Sequence, residues 1–276
     1  MRLAFSKYEG LGNDFVIVDG SAPGSSRAVE QAVRICDRHL GVGADGVLVV
    51  AHTAGRPAML VVNADGSVPE MCGNGIRCVA LHLVRSGLIT DTRFEVVTDA
   101  GPHACHVLKS GESGLVEVSM RAPSLVPSDV PVTGDAAWRD APLSVGGATL
   151  HLTAVSMGNP HAVSFDDVGK ERHRLGPLVQ QHASFAHGAN VGFARVLAPQ
   201  LIELDVYERG SGWTQACGTG ACAAAVAAVE TGRAERERPI QVRLPGGTLT
   251  IVVGKPGERL SMTGPVRHVF DGVIEI

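Results

Sequence analysis

Short apolar runs separated by turn-forming residues dominate the pattern along the chain. The runs are rich in Val, Ile, Leu and Phe, and Gly, Pro, Asn and Asp stand between them, which is typical of strands and turns. They predict strands at Phe15–Val18, Val47–Val50, Met59–Val62, Phe94–Thr98, Val116–Met120, Leu150–Ser156, Asn190–Leu197, Leu201–Tyr207, Gln241–Leu244 and Leu249–Val253. The chain is therefore expected to be built mainly from strands.

Helical spacing of apolar residues is found in fewer places. The stretch Arg27–Leu40 is predicted to form one amphipathic helix. Its apolar face would consist of Val29, Ala32, Val33, Cys36 and Leu40. Two further helices are predicted to begin inside Gly-rich segments, from about Gly73 to Arg85 and from about Gly218 to Thr231. A glycine follows the end of each, which is the preferred residue just past a helix end.

Three sequence features recur at nearly the same offset. Cys72 and Cys217 each open a Cys-Gly-x-Gly motif that leads into a predicted helix, 145 residues apart. The pair Gly12-Asn13 recurs as Gly158-Asn159, and Asn63 corresponds to Glu208. A common offset indicates a duplicated unit and hence two similar halves. A Pro-rich stretch from Ala122 to Pro131 falls midway and is the predicted boundary.

Composition narrows the functional classes. Hydrophobic residues make up 45% of the 276 residues, charged residues make up 19%, and the net charge is −4. These values are typical of a globular protein, and without a basic surplus they argue against nucleic-acid or membrane partners. The first residues lack a secretory apolar segment, so a cytoplasmic location is expected. The six cysteines are then expected to be reduced thiols.

Cys72 and Cys217 are the strongest candidates for chemistry. Free amides and the positive dipole end of a helix favour an anion, so thiols at such positions are expected to have a lowered pKa. The same amides can hold a substrate carboxylate. Inverting a stereocentre by deprotonation requires a base on one face and an acid on the other, which two equivalent thiols would provide. The pattern therefore favours inversion at an amino-acid α-carbon without a cofactor.

The other cysteines are interpreted as core residues, because they lie on apolar stripes or in strand-like runs. They are Cys36, Cys78, Cys105 and Cys222. Their spacing from the two motif cysteines does not match a zinc site. The segment Gly218–Ala223 fits a dinucleotide-binding glycine pattern, but the preceding strand ends too early and no acidic residue follows the next one. No metal or nucleotide is expected.

Several polar residues lie at strand ends near the two motifs. They are Asn13, Asn63, Asn159, Asn190, Glu208 and Arg209. Arg209 could hold a carboxylate with two parallel hydrogen bonds, and His161 could tune a nearby thiol. Taken alone, each asparagine is more often a turn residue, the Glu208–Arg209 pair a solvated ion pair, and His161 a buried core histidine.

The motifs together resemble the diaminopimelate epimerase family. The segment from Asn63 to Arg77, NADGSVPEMCGNGIR, is similar to that family's signature. Further similar segments, in the family's order, are GLGNDFVIVD, SMGNPHAV, ANVGFARV, YERGSG and TQACGTGACA. The resemblance extends over nearly the whole chain.

The resemblance implies an enzyme that interconverts LL- and meso-diaminopimelate without pyridoxal phosphate, metal or another cofactor. Cys72 and Cys217 match the catalytic cysteines. The positions that match the helix starts holding the reacting carboxylate are Gly73, Asn74, Gly218 and Thr219. The positions that match the substrate pocket are Asn13, Asn63, Asn159, Asn190, Glu208 and Arg209. His161 and Glu208 match positions that modulate the thiols.

The resemblance also implies an α+β fold of two pseudo-symmetric halves, each a mostly antiparallel sheet or barrel wrapped around a central helix. The halves would comprise residues 1–121 with 264–276, carrying Cys72, and residues 122–263, carrying Cys217. The active site is expected in the cleft between them, and a homodimer is implied. Some family members have Gln at the position of Gly46, so a contact made by that side chain is lost here.

Two alternatives stay open. A racemase of the same fold could act on proline or histidine, although Asn63, Asn159, Asn190 and Arg209 favour a long substrate with a second zwitterionic end. A redox-sensing protein could use the same two thiols without catalysing any reaction.

Overall fold

The computed structural model describes residues 2–22, 24–53 and 55–276, which form sixteen strands and five α-helices. The strands are β1 (Arg2–Gly10), β2 (Asn13–Asp19), β3 (Gly46–Thr53), β4 (Arg56–Asn63), β5 (Arg93–Thr98), β6 (Gly101–Lys109), β7 (Ser113–Ser119), β8 (Ala141–Val145), β9 (Ala148–Ser156), β10 (Pro160–Ser164), β11 (Asn190–Ala198), β12 (Leu201–Glu208), β13 (Gly212–Trp213), β14 (Pro239–Leu244), β15 (Gly247–Val252) and β16 (Ser261–Glu275). The helices are α1 (Ser25–Glu30), α2 (Ala32–Cys36), α3 (Gly73–Arg85), α4 (Arg172–Gln180) and α5 (Gly218–Glu230). A short 3₁₀ turn, Gly169–Glu171, precedes α4.

The chain divides into two compact units, Met1–Ser119 with Thr263–Ile276 and Met120–Met262. In the first unit the strands follow the order β1-β2-β3-β4-β5-β6-β7-β16, and β16 pairs with β1. This pairing closes an eight-stranded barrel. Most neighbours are antiparallel, but β2–β3 and β4–β5 are parallel.

Helix α3 is the central element of the first unit. It contacts β1, β2, β3, β4, β6 and β7, so the sheet wraps around it. Ten of its thirteen residues are buried, and only the C-terminal part of the helix has exposed positions. A helix enclosed on several sides is stabilised by the nonpolar surface that its apolar side chains bury.

The second unit has the order β15-β14-β12-β11-β10-β9-β8, with β13 added beside β12. Helix α5 contacts β9, β10, β11, β12, β14 and β15. Its sequence, GTGACAAAVAAVE, consists largely of alanine, which has the highest helix propensity and a small side chain. Strands can therefore approach α5 closely from several directions.

The two units share one succession of elements. The pairings run antiparallel, parallel, antiparallel, parallel and antiparallel through β1 to β6, and the same sequence of directions joins β9, β10, β11, β12, β14 and β15. Helices α3 and α5 fall at the same place in this order. The duplication predicted from the offset motifs is therefore confirmed at the level of topology.

The prediction of one helix over Arg27–Leu40 is wrong. Gln31 has a non-helical backbone, and Asp37, with φ −60° and ψ 124°, is extended. The Asp37 carboxylate accepts hydrogen bonds from the backbone amides of His39 and Leu40, a local alternative that ends the helix. Leu40 is consequently 84% exposed rather than on a buried face.

The other two predicted helices and all of the predicted strands are present, with shifts of a few residues at their ends. Met120, predicted as a strand end, lies just beyond β7. Within the described residues, no helix combines the length and the apolar character needed to cross a membrane.

Candidate active site

Cys72 is the N-cap residue of α3. Its backbone is extended, with φ −129° and ψ 115°, and its Sγ accepts a hydrogen bond of 3.4 Å from the amide of Gly75. A Cβ at Gly75 would lie 3.1 Å from Leu48 Cδ2 and 3.3 Å from Cys72 Cβ. Glycine at this position therefore lets the capping thiol and a neighbouring strand both pack against the first helical turn.

Cys217 repeats this geometry at the start of α5. Its backbone has φ −122° and ψ 110°, and its Sγ accepts a hydrogen bond of 3.3 Å from the amide of Gly220. A Cβ at Gly220 would lie 3.2 Å from both Cys217 Sγ and Val206 Cγ2. Two N-capping thiols with the same backbone conformation and the same donor position thus begin the two central helices.

The electrostatic surroundings of Cys217 differ from the expectation for a thiol at a helix start. Burial raises the pKa of the Cys217 thiol well above its ordinary value, and the nearby Glu208 carboxylate raises it further. Hydrogen bonds from Thr219 and from the Gly220 amide act in the opposite direction but are smaller. The expectation that the helix dipole lowers the pKa is therefore wrong for Cys217, whose environment favours the neutral thiol.

A directed chain of hydrogen bonds leads from His161 to Cys217. Burial, and then the charge of Arg209, lowers the pKa of His161 to about 3, so its imidazole is neutral near neutral pH. Its Nε2 lies 3.0 Å from Asn159 Oδ1, an atom that only accepts, so Nε2 carries the proton. Asn159 Nδ2 then donates to Thr219 Oγ1 at 3.4 Å. The Thr219 hydroxyl, 3.6 Å from Cys217 Sγ, is left to donate its hydrogen to the sulfur.

Glu208, Arg209 and Asn190 lie together at the ends of two neighbouring strands. Glu208 is the last residue of β12, and its carboxylate accepts a hydrogen bond from the Thr214 hydroxyl. Asn190 begins β11, and its Oδ1 accepts a hydrogen bond of 2.9 Å from the Arg209 amide. The Arg209 guanidinium donates to the carbonyl of His187 and is exposed. The structure thus brings the predicted Glu208–Arg209 pair and Asn190 into one cluster.

Asn13 and Asn74 form the corresponding cluster in the first unit. Asn74 Nδ2 donates to Asn13 Oδ1 at 3.1 Å, which parallels the contact between Asn159 and Thr219. The preceding glycines, Gly12 and Gly158, both adopt positive φ values of 80° and 96°. Left-handed backbone is available to glycine at little cost, which explains why glycine precedes the asparagine in both copies.

Two charged residues in this cluster were not among the predicted site residues. Asp45 Oδ2 accepts a hydrogen bond of 2.7 Å from Asn13 Nδ2, and Arg77 Nη2 donates to Asn74 Oδ1 at 2.9 Å. Arg77 has no exposed surface although it lies in an apolar helix. A charged residue at a predicted core position was the signal in the sequence that could have identified it.

Asn63 and Gly46 face each other across β3 and β4. Asn63 Nδ2 donates to Ser67 Oγ at 2.9 Å within the turn that follows β4. Gly46 is the register partner of Asn63, and a Cβ there would lie 2.9 Å from the carbonyl oxygen of Val62. A larger side chain at Gly46 would therefore require a shift of the neighbouring strand.

The remaining cysteines are buried, as predicted. Cys36, Cys78, Cys105 and Cys222 are each at most 4% exposed. Burial raises the pKa of Cys36 to about 11 and that of Cys105 to about 12, and it also raises the pKa of Cys78. Thiols in these surroundings are inert packing residues.

Comparison with solved structures defines the structural class. The fold is similar to that of a Bacillus anthracis phenazine biosynthesis protein, with a TM-score of 0.74, 14% identity and 100% of both chains covered. It is also similar to a hydroxyproline epimerase from Agrobacterium vitis with bound trans-4-hydroxy-L-proline, with a TM-score of 0.69, 15% identity, and 99% of this chain and 92% of that chain covered. The protein therefore has the two-unit fold that these structures share.

Sequence comparison then gives the family. The chain belongs to the diaminopimelate epimerase family, whose model matches residues 5–126 and 153–269. It is 47% identical to the diaminopimelate epimerase of Desulforudis audaxviator, over 98% of both chains. The diaminopimelate epimerase of Synechocystis is 44% identical over the full length of both. The resemblance recognised in the sequence is confirmed.

Proposed function

We propose that this protein is a diaminopimelate epimerase that interconverts LL- and meso-diaminopimelate, with Cys72 and Cys217 as its two acid/base groups. The observation that carries the proposal is the matched geometry of the two thiols. Each caps a central helix, each accepts a glycine amide three residues on, and each lies in one of two topologically equivalent units of a member of this family.

The proposed reaction moves one proton on and one proton off the same α-carbon. A thiolate takes the α-hydrogen from one face, so the Cα–H bond breaks and an S–H bond forms. The resulting carbanion takes a proton from the other thiol on the opposite face, and the configuration is inverted. No atom is gained or lost, and the enzyme returns to its starting state when the two sulfurs exchange a proton with solvent.

The environment of Cys217 suits the role of proton donor at the start of a turnover. Burial and Glu208 keep its thiol protonated. The proton of a buried thiol can be transferred directly to a carbanion. The Thr219 hydroxyl and the Gly220 amide both point to the sulfur and stabilise the thiolate that forms as the proton leaves. In the reverse direction the same groups make Cys217 the base.

Substrate binding is assigned to the two helix starts and to the polar residues at the strand ends. The first-turn amides at Gly73, Asn74, Gly218 and Thr219 would hold the reacting carboxylate, where its growing negative charge is stabilised. The residues assigned to the substrate pocket, several of which would bind the distal amino-acid end, are Asn13, Asn63, Asn159, Asn190, Glu208 and Arg209. The exposed Arg209 guanidinium is suited to a carboxylate, which it can bind through two parallel hydrogen bonds.

The test follows reduced protein with LL-diaminopimelate in deuterated water. We expect the meso isomer with deuterium at one α-carbon, and loss of this activity in both Cys72→Ala and Cys217→Ala. Cys105→Ala is the matched control, because Cys105 is a buried thiol in β6 that has no assigned role. Full activity in either motif variant would overturn the two-thiol assignment.

The same assay separates the alternatives. Turnover of proline, histidine or lysine, with none of diaminopimelate, would instead identify the protein as a racemase of another amino acid with this fold. A reduced protein that turns over none of these, and an oxidised form that binds a partner, would favour a redox-sensing role instead.

We further propose that the protein is a homodimer. Val269, Phe270 and Val273 are between 45% and 53% exposed on β16, and Phe270 packs edge-on against Phe5 with ring centroids 5.9 Å apart. An exposed apolar patch on one strand suits a two-fold contact with a second copy. Light scattering should give twice the chain mass for the wild type and the single mass for Phe270→Glu.

A cytoplasmic location stays a prediction, to be tested by cell fractionation.

A further inference from the structure

A chain of four polar side chains in the first unit has a negative residue at one end and a positive residue at the other. Asp45 Oδ2 accepts from Asn13 Nδ2 at 2.7 Å, and Asn13 Oδ1 accepts from Asn74 Nδ2 at 3.1 Å. Asn74 Oδ1 then accepts from Arg77 Nη2 at 2.9 Å. Charge therefore flanks the two central amides on both sides.

The charged ends determine which way the amides face. An ionised carboxylate can only accept hydrogen bonds, and a guanidinium can only donate them. Asp45 therefore requires the NH₂ group of Asn13, which leaves the Asn13 oxygen for Asn74. Arg77 requires the oxygen of Asn74, which leaves its NH₂ group for Asn13. Rotating either amide by 180° would place like groups against each other at two contacts.

Both ends of the chain are themselves held in place. Arg38 contacts the carboxylates of Asp14 and Asp45, and the Asp14 amide donates to the same Asp45 oxygen that binds Asn13. Arg77 is fully buried, and its Nη1 donates to the carbonyl of Gly73 at 3.0 Å. Neither end can therefore follow a rotating amide.

The second unit lacks both charges. Gly46 pairs with Phe15 in the way that Asn190 pairs with His161, so the counterpart of Asp45 is the uncharged Ala189. The counterpart of Arg77, 145 residues on, is Cys222. The hydrogen-bond chain there runs from His161 through Asn159 and Thr219 to the sulfur of Cys217. The charged anchors are thus a property of the first unit.

We propose that Asp45 and Arg77 are positioning residues that fix the side-chain amides of Asn13 and Asn74 in one orientation for substrate binding. The inference rests on the proposed function for its kinetic consequence, whereas the orientation itself can be measured without substrate. Neither residue contacts the reacting atoms in this assignment. Their effect passes through the two asparagines.

The first test uses Asp45→Asn, which keeps the shape of a half-exposed side chain and removes the charge that selects the Asn13 orientation. Coupling within one hydrogen-bond network predicts a KM for diaminopimelate about 10-fold higher, with kcat changed by less than about 3-fold. Asp91→Asn, an exposed carboxylate before β5, is the matched control. Unchanged KM in Asp45→Asn would overturn the proposal.

A double-mutant cycle separates positioning from general support of the fold. If Asp45 acts through Asn13, then Asp45→Asn combined with Asn13→Ala should have the same KM as Asn13→Ala alone. Effects that multiply would mean that Asp45 acts independently of Asn13, and the proposal would be wrong. Arg77→Lys and Arg77→Met extend the comparison, because one ammonium replaces the two-armed contact in the first and no donor remains in the second.

The second measurement needs no activity, so it stays informative if the substrate is another amino acid. In protein labelled with ¹⁵N at asparagine, Asp45→Asn should move the side-chain NH₂ signals of both Asn13 and Asn74. The signal of Asn63, which donates to Ser67, should stay in place. A shift confined to the Asn13 signal, or no shift at all, would refute the proposed chain of hydrogen bonds. Inactive wild type with both shifts present would refute only the substrate assignment.

Discussion

Replacing Thr219 by valine tests how the protein stabilises the Cys217 thiolate. Valine keeps the branched shape of threonine and has a similar helix propensity, so the change removes the hydroxyl and little else. The lost groups are the donor 3.6 Å from Cys217 Sγ and the acceptor 3.4 Å from Asn159 Nδ2. Stability should change little, because water can reach the half-buried Asn159.

The size of the effect follows from the geometry. Both contacts are long, so the hydroxyl contributes less to the thiolate than the roughly 1.5–3 kcal/mol of a good hydrogen bond to a charged group, about 1 kcal/mol. That free energy corresponds to a thiolate population, and an epimerisation rate, lower by about fivefold at a given pH. The pKa of Cys217 should rise, because a group that favours the charged form has been removed.

The assay is alkylation of Cys217 by iodoacetamide between pH 7 and pH 10, followed by mass spectrometry of the Cys217 peptide. Thr219→Ser keeps the hydroxyl and should behave as the wild type, and the Cys105 peptide reports global opening of the fold. Equal profiles for Thr219→Val, Thr219→Ser and the wild type would refute the role given to the hydroxyl. A faster reaction of Cys105 in the variant would instead indicate unfolding.

Three further predictions concern the same helix start. Glu208→Gln should lower the pKa of Cys217, so alkylation should begin at a lower pH; an unchanged or higher onset would contradict the assigned electrostatics. His161 is buried with a pKa of about 3 against 6.5 when unfolded, so stability is lost as pH falls below about 6.5. Between pH 7 and pH 5, His161 should account for a loss of about 2 kcal/mol in the free energy of unfolding, measured with urea. His161→Gln should lack this loss, and an equal pH dependence in wild type and variant would refute the role of His161. Gly220→Ala should lower the free energy of unfolding by up to about 2 kcal/mol, since overpacking against Val206 and Cys217 exceeds the gain in helix propensity, and unaltered stability and kcat would contradict that packing.

The strands could be predicted because their ends are marked by local chemistry. Gly12 and Gly158 adopt positive φ where a turn precedes β2 and β10, a conformation that few other residues accept. Arg27–Leu40 failed because apolar spacing records which side chains could share a face, not whether the backbone is continuous. The Asp37 carboxylate interrupts it with two short hydrogen bonds that no periodicity reveals.

The site was predictable only where sequence motifs state the backbone geometry. Cys-Gly-x-Gly before an apolar helix predicted a thiol at each helix start, and each sulfur does accept a hydrogen bond from a first-turn amide. The protonation of Cys217 was not predictable, because burial and the distance to Glu208 depend on tertiary packing. Arg77 was passed over for a related reason: its partners, Asn74 and Gly73, explain how a buried guanidinium is tolerated, and they become visible only in the fold.

Duplication and divergence answer two different requirements of the proposed reaction. Inversion needs equivalent acid/base groups, and the repeated N-cap provides them with the same backbone angles and the same amide donor. Binding of the distal end of the substrate, which takes no part in the reaction, needs surroundings that differ from those of the reacting end. These surroundings are supplied by the residues that the repeat does not preserve: Asp45 and Arg77 around Asn13 and Asn74 in one unit, and neutral His161 with Glu208 around Cys217 in the other. Replacing Asp45 or Arg77 by an uncharged residue should therefore disturb substrate binding more than the proton transfers, whereas replacing Glu208 would also alter the pKa of Cys217.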